Sequence, residues 1–288
     1  MRFEKYFEPD TIKECSDLLA EYGDKARILA GGTDVIPFLK TKAAKPEALI
    51  DIRKIKGLDE IKITGDGLEL GAMVRLRVLS QNKELIAGYS VIAEAAARVS
   101  SMQIRNVATI GGNACNASPS ADAVQGLLLM NAISVVESAQ GKREVPLAEF
   151  FVGPGKTVLK DNEILTGFKV AKPEAKTGAC YEKFAIRGHV DISIVGAGAA
   201  VTLAADNTVS KAVVSLASVA PTPLRMYAVE EMLAGGKLTP ELIARAAQAA
   251  SEKVTPISDQ RASKEYRVEM VRVSTKIALE KALEYAMA

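Results

Sequence analysis

Residues 28–35 read ILAGGTDV and residues 108–122 read ATIGGNACNASPSAD. In the first, Ile28, Leu29 and Ala30 lead into Gly31, Gly32, Thr33, Asp34 and Val35; in the second, Thr109 and Ile110 lead into Gly111, Gly112 and Asn113. Each is an apolar, strand-like run entering Gly-Gly and then a small polar side chain. A residue without Cβ can take left-handed backbone angles and let a ligand come close, so Gly-Gly after a strand can present consecutive N–H groups to an anion. Thr33, Thr109, Asn113 and Ser118 add neutral hydroxyl and amide groups, and neither stretch contains Lys or Arg. That combination suits a pyrophosphate held by backbone dipoles, as in a dinucleotide or a flavin nucleotide. The residues alone leave a second reading open, in which both stretches are structural turns.

Outward from these stretches, periodicity predicts a helix from Ile12 to Tyr22, started by Pro9-Asp10-Thr11 and stopped by Gly23. Strands are expected at Arg27–Ala30 and Ala48–Ile52, and a hairpin at Ile61–Ile63 and Leu68–Leu70 across Asp66-Gly67. Leu76–Ile86, Val91–Val99 and Asp122–Met130 read as helices; Ala108–Ile110, Ile133–Glu137 and Ile164–Val170 read as extended. At Ala171–Gly178 the sequence turns to AKPEAKTG, a candidate boundary. Beyond it, Ala179–Phe184, Asp191–Leu203 and Val209–Val219 read as antiparallel strands, and Tyr227–Leu233, Pro240–Ala250 and Arg261–Ala286 as helices. Strands followed by helices indicate an α+β lobe.

Two other glycine patterns carry no nucleotide site. Gly153 to Thr157 mimics a phosphate loop, but the first glycine of a true G-x4-G-K-[ST] motif would fall at Phe150, and Pro154 lacks an N–H. Gly196 and Gly198 follow a strand, yet the third small position is Val201, so close packing within a sheet explains them better.

Composition narrows the function classes. The 288 residues are 48% hydrophobic and 25% charged, with 37 Lys+Arg against 35 Asp+Glu. A balance of +2 without a basic run argues against nucleic-acid binding. Three cysteines (Cys15, Cys115, Cys180) and one histidine, His189, cannot form a four-cysteine iron–sulfur site, and no C-x2-C spacing supports zinc. No metal site is expected within the chain. The odd cysteine count suits a reducing compartment, MRFEKYFEPD has no signal-type apolar core, and no apolar run reaches the about 20 residues that span a bilayer. The expected localisation is cytoplasmic.

The motifs also carry a resemblance. AGGTD (Ala30–Asp34) and TIGGN-x-x-x-ASP-x-x-D (Thr109–Asp122) look like the two flavin loops of the FAD-binding medium subunits of the molybdenum hydroxylases, the xanthine dehydrogenase and carbon monoxide dehydrogenase type. The likeness runs on through YEKFAIRGHVDISIV (Tyr181–Val195), SVAPTPLR (Ser218–Arg225) and SDQRASKEYR (Ser258–Arg267), and so covers nearly the whole chain.

The resemblance implies a mixed α/β, α+β protein. It would have a p-cresol methylhydroxylase-type FAD domain over 1–174, in subdomains of about 1–56 and 57–174, and a C-terminal α+β lobe of the carbon monoxide dehydrogenase flavoprotein type over 175–288. It implies that Ile28–Val35 and Thr109–Asn113 hold the phosphates and ribityl chain of noncovalent FAD, with Ser118 beside them and Asp122, Leu165 and Lys183 as further contacts. Strand alternation sets Tyr181 on the same side as Lys183, so that one face would offer the flavin an aromatic plane and a cation. Asp122 also reads as a helix-start residue, and Lys183 as a solvated strand lysine. Asp191 and Arg187 are expected to fix the lobe's fold.

No catalytic residue is implied. Substrate would be oxidised in a large molybdopterin subunit, a small subunit would carry two [2Fe-2S] clusters, and this subunit would relay electrons to NAD or another acceptor. Relatives of the benzoyl-CoA type carry an inserted cysteine-rich segment for a further cluster; this chain lacks those cysteines. The rival readings are a self-contained flavin oxidoreductase of the same fold and a flavin-free binding subunit.

Overall fold

The computed structural model describes residues 3–41, 46–188 and 190–288; His189 lies outside them. The first segment comprises β1 (Lys5–Phe7), α1 (Ile12–Tyr22), β2 (Ala26–Leu29), α2 (Val35–Thr41) and β3 (Ala48–Asp51). α1 begins where the Thr11 hydroxyl accepts the Glu14 N–H at 3.2 Å, and it stops at Gly23, whose φ is +52°. The strands form a parallel sheet with β3 in the centre, which makes β3 (ALID) buried at every residue. Cys15 and Leu19 of α1 pack with Ile50 on one side, while Leu39 of α2 packs with Leu29 and Leu49 on the other.

The second segment runs β4 (Ile61–Ile63), β5 (Gly67–Gly71), α3 (Leu76–Gln81), α4 (Lys83–Gly88), α5 (Ser90–Ala97), α6 (Met102–Arg105), α7 (Ile110–Cys115), α8 (Asp122–Leu129), β6 (Ile133–Ser138), β7 (Gly141–Pro146), β8 (Phe151–Gly153), β9 (Lys156–Thr157) and β10 (Ile164–Ala171). Its main sheet is antiparallel, in the order β4-β5-β10-β6-β7. Every residue of α8 is buried, because α5 and the next sheet enclose it. The third segment has β11 (Thr177–Phe184), β12 (Val195–Leu203), β13 (Val209–Ala217) and β14 (Leu224–Arg225) in one antiparallel sheet, followed by α9 (Tyr227–Leu233), α10 (Pro240–Glu252) and α11 (Lys264–Met287).

That sheet lies between two helical layers. Ala179, Tyr181, Ala200 and Val213 join the core around α5 and α8, whereas Ala197, Ala199, Val201 and Val214 join the core of α9, α10 and α11. The small residues of β12 make this possible. A Cβ on Gly198 would stand 2.6 Å from Leu129 Cδ1, and one on Gly196 would stand 2.3 Å from the Tyr181 hydroxyl. Packing is therefore what these two glycines serve.

Several expectations change in detail. The helix expected over 76–86 is two, broken at Asn82, whose side chain accepts the Leu85 N–H at 2.9 Å and starts α4 afresh. The strand expected from Asp191 begins only at Val195, because Asp191 is turned to the Arg187 and Ile192 N–H groups. Residues 108–110 are extended only at Thr109, which bridges Arg75 before α7 begins. β1, β7 and the β8–β9 hairpin carry no clear period-2 signal; Pro154 and Gly155 form the turn between β8 and β9, and the Gly155 N–H donates to Ala117 O.

Candidate functional site

The first Gly-Gly stretch links β2 to α2. Gly32 has the left-handed angle expected of it, φ +74°. The turn closes with Ile36 N–H on Gly32 O at 3.0 Å and Phe38 N–H on Asp34 O at 3.1 Å. The N–H groups of Gly31, Gly32, Thr33, Asp34 and Val35 have no acceptor among the described residues. Five successive donors without an acceptor, the last at the start of α2, are groups that a diphosphate could satisfy.

The second stretch is built differently from the sequence expectation. Gly111 and Gly112 lie in the first turn of α7, with neither in the left-handed region. Their donors are engaged: Ile110 N–H on Val74 O (3.0 Å), Gly111 N–H on Ala72 O (2.8 Å), Gly112 N–H on the Thr109 hydroxyl (3.1 Å) and Asn113 N–H on Thr109 O (3.0 Å). Here Gly-Gly serves close approach: a Cβ on Gly111 would lie 2.5 Å from Ala72 Cβ. What the stretch leaves unpaired is a side chain, since Asn113 Oδ1 is buried with no partner. A buried acceptor without a donor is costly, and a ligand donor there would relieve it.

The fold brings the two stretches together. A Cβ on Gly31 would meet Val107 O at 2.1 Å and Ala108 Cα at 2.9 Å, so the loop after β2 lies directly on the chain entering α7. The Ser118 hydroxyl, a few residues on, accepts the Ser120 N–H at 3.2 Å, while Cys115 is exposed. Leu165 is buried in β10 opposite Val136, within the apolar core.

Asp122, Tyr181 and Lys183 meet at the start of α8. Asp122 is the first residue of that helix, yet it caps nothing: its carboxylate accepts the Tyr181 hydroxyl at 2.7 Å and Lys183 Nζ at 2.7 Å. Lys183 Nζ also donates to Arg98 O (3.0 Å) and Asp191 O (2.7 Å), which engages all three of its protons. Its side chain is 3% exposed, so the solvated reading of this lysine does not hold. Tyr181 and Lys183 do share a strand face, but that face is turned to Asp122, and the Tyr181 ring is fully buried rather than offered to a ligand. Burial pushes the Asp122 carboxyl up from its ordinary value, against the charge and hydrogen bonds of Lys183 and the hydroxyl of Tyr181. Burial, then the Asp122 charge, raises the Tyr181 phenol well above its own, which keeps it a neutral donor.

Further groups at this junction were not legible as site residues. Ser193 and Ser218 hydroxyls lie 2.7 Å apart, Ser218 N–H donates to Pro119 O (2.8 Å), and Arg267 reaches Ile194 O, Ser218 O (3.3 Å) and Asp259 (2.8 Å). The long motifs 181–195, 218–225 and 258–267 thus converge beside α8, a juxtaposition for which their spacing along the chain gives no signal. Among the described residues no group of three or more His, Cys, Asp or Glu could hold a metal ion, and no helix is long and apolar enough to cross a membrane.

Fold and site together fit a flavin-binding subunit: an α/β unit in which a loop with acceptor-less N–H groups lies against a second loop with an unpaired side-chain acceptor, joined to an α+β lobe. Comparison with known proteins agrees. Residues 1–173 match the FAD binding domain in molybdopterin dehydrogenase, and residues 179–282 the CO dehydrogenase flavoprotein C-terminal domain. The chain is 35% identical to the carbon monoxide dehydrogenase medium chain of Hydrogenophaga pseudoflava, covering 96% of each. It is 32% identical to the xanthine dehydrogenase FAD-binding subunit of Escherichia coli O157:H7, covering 99% of this chain and 97% of that one. A solved carbon monoxide dehydrogenase from H. pseudoflava superposes with a TM-score of 0.95 at 34% identity, over 99% of this chain and 98% of that one. The chain belongs to the FAD-binding subunits of the molybdenum hydroxylase family.

Proposed function

We propose that this chain is the electron-relay subunit of a heteromeric hydroxylase, in which a large partner holds molybdopterin and oxidises substrate and a small partner supplies [2Fe-2S] clusters. The observation that carries the reading is the pairing of five acceptor-less N–H groups at Gly31–Val35 with the unpaired Asn113 Oδ1. In this reading the flavin domain spans 1–174, in subdomains of about 1–56 and 57–174, and the C-terminal lobe 175–288.

The N–H groups of Gly31 to Val35 hold the FAD diphosphate, the Thr33 hydroxyl and Asn113 side chain take its polar groups, and Thr109–Asn113 and Ser118 form the opposing wall. Ile28, Leu29, Ala30 and Leu165 exclude water beneath it. Asp122, Tyr181 and Lys183 bind the C-terminal lobe against the flavin domain and fix the edge of the site. FAD, when bound, supplies the electron exchange between a cluster that gives single electrons and an acceptor such as NAD. The chain itself has no proton to abstract from a substrate, so the scarcity of histidine is no obstacle. The isolated chain and its partners are read as cytoplasmic, in keeping with three cysteines free of disulfides.

The test uses the chain purified alone and with its partners. Alone, it should carry about one FAD that acid precipitation releases into the supernatant, and it should pass electrons from an added chemical reductant to a dye without oxidising any purine, aldehyde or N-heterocycle. Substrate turnover by the chain free of iron and molybdenum would favour the self-contained oxidoreductase. A colourless chain that takes up no FAD would favour the binding subunit.

A further inference from the structure

Two segments of the flavin domain contain no acidic residue at all, 70–83 and 95–121, in a chain with 35 Asp+Glu among 288 residues. The fold lays them side by side. Arg75 pairs with Thr109 in an isolated bridge, Leu76 N–H donates to Ala108 O at 2.9 Å, and Ile110 N–H donates to Val74 O at 3.0 Å. Arg75 is exposed, and Arg77 and Arg105 are half-buried. Among the described residues none of the three forms an ion pair, whereas eighteen such pairs occur among the others.

Arg105 is half-buried and partly engaged. One terminal nitrogen donates to Val99 O (2.7 Å) and Ser100 O (2.8 Å), which pins the guanidinium in place, while its Nε is buried without a partner. The charge of Arg77 acts on it, and after burial that like charge is the second cause holding the Arg105 pKa below its ordinary value. Around these cations three aliphatic side chains are exposed: Val78 beside Arg77, Met102 one turn before Arg105, and Val107 at the entry to α7. Arg105 thus holds the turn at Val99 and Ser100, but the side chains of Arg75 and Arg77 make no hydrogen bond or ion pair among the described residues; like charges gathered without counter-charge repel one another, and the exposed aliphatics they rim bury little surface in the free chain.

We infer that the surface formed by Arg75, Arg77 and Arg105 around Val78, Met102 and Val107 is the docking face for a partner subunit that presents carboxylates around an apolar centre. The inference rests on the reading of this chain as a relay subunit and names the face by which it is reached. Charge complementarity selects an acidic protein surface, with arginine forks suited to carboxylates and the aliphatics supplying the apolar centre. Its position supports this, because Val107 O backs onto Gly31 and Thr109 caps α7, which sets the face against the outside of both flavin loops. A partner seated there lies next to the cofactor without entering its cradle.

The test is the Arg75→Glu/Arg77→Glu double variant, co-expressed with the partner chains, against Lys237→Glu/Lys253→Glu, which makes the same charge change on the exposed side of the C-terminal lobe. The first should assemble about tenfold more weakly at low salt, with the difference narrowing as salt rises, while the purified chain keeps full FAD content and an unchanged Tm. The control should assemble normally. Normal assembly of the arginine variant overturns the docking face. So does loss of FAD from it with partners retained, which places the arginines in the cofactor site, and so does normal assembly with a raised KM for NAD, which makes them an acceptor site. Failure of the relay reading shows separately, as substrate turnover by the chain alone.

Discussion

Gly31→Ala adds one carbon atom at the contact between the two loops. Its Cβ would stand 2.1 Å from Val107 O, 2.8 Å from Val107 C and 2.9 Å from Ala108 Cα, all backbone atoms that no rotamer change can move. Ordinary contact begins near 3.4 Å, so the loops must part by about 1 Å, and overpacking of this kind costs about 1–3 kcal/mol. The same movement displaces the N–H groups of Gly31 to Val35. A hydrogen bond to a charged group contributes about 1.5–3 kcal/mol, so the loss of even one to a diphosphate should weaken FAD about 10- to 100-fold. The assay is titration of flavin-stripped protein with FAD, followed by fluorescence quenching, with Tm measured on the same flavin-free sample. Gly65→Ala is the control, since its Cβ would meet nothing within 4 Å and Gly65 has no left-handed angle. A Gly31→Ala protein that binds FAD within about threefold of the unmodified chain would refute the assignment of this loop as the diphosphate cradle.

Two further expectations concern ion pairs. Lys183→Met leaves the Asp122 carboxylate buried without its cation, and should cost about 3–5 kcal/mol in urea unfolding, with part recovered in the Asp122→Asn/Lys183→Met double variant; an unchanged midpoint for the single variant would show the pair to be dispensable. Glu163 accepts two 2.7 Å bonds from Arg143 and one of 2.8 Å from Lys160 N–H, and the Arg143 bond above all holds its carboxyl below the ordinary 4.5. A carboxyl lowered on folding contributes stability above the unfolded-state pKa and loses it as pH falls through the folded one. Glu163→Gln should therefore lower stability by about 1–3 kcal/mol at pH 7, and the gap should narrow as pH falls below the ordinary 4.5 and through the lowered folded-state value. A gap that does not narrow at all between pH 7 and pH 3 would show that packing, not charge, is what Glu163 supplies.

Periodicity and capping alone were enough for the elements whose signals are local. Thr11 and Gly23 bound α1 as expected, the turn at Asp66-Gly67 joins β4 to β5, and the alternation of β11 puts Tyr181 and Lys183 on one face. The long motifs also marked the family, because the order of AGGTD, TIGGN and the C-terminal segments survives in sequence whatever their arrangement in space. What the two Gly-Gly stretches do could not be read that way. They look alike, yet Gly32 takes a left-handed turn that leaves donors without acceptors, whereas Gly111 and Gly112 enter a helix and close their N–H groups on Ala72 and Thr109. The difference lies in what stands opposite each glycine, Val107 for Gly31 and Ala72 for Gly111, and those neighbours are distant in sequence. The same holds for Lys183, solvated or buried according to whether Asp122, Arg98 O and Asp191 O converge on it. Local hydrogen bonds and side-chain period are properties of neighbours along the chain; which donors remain unpaired is decided only when the sheets and helices pack.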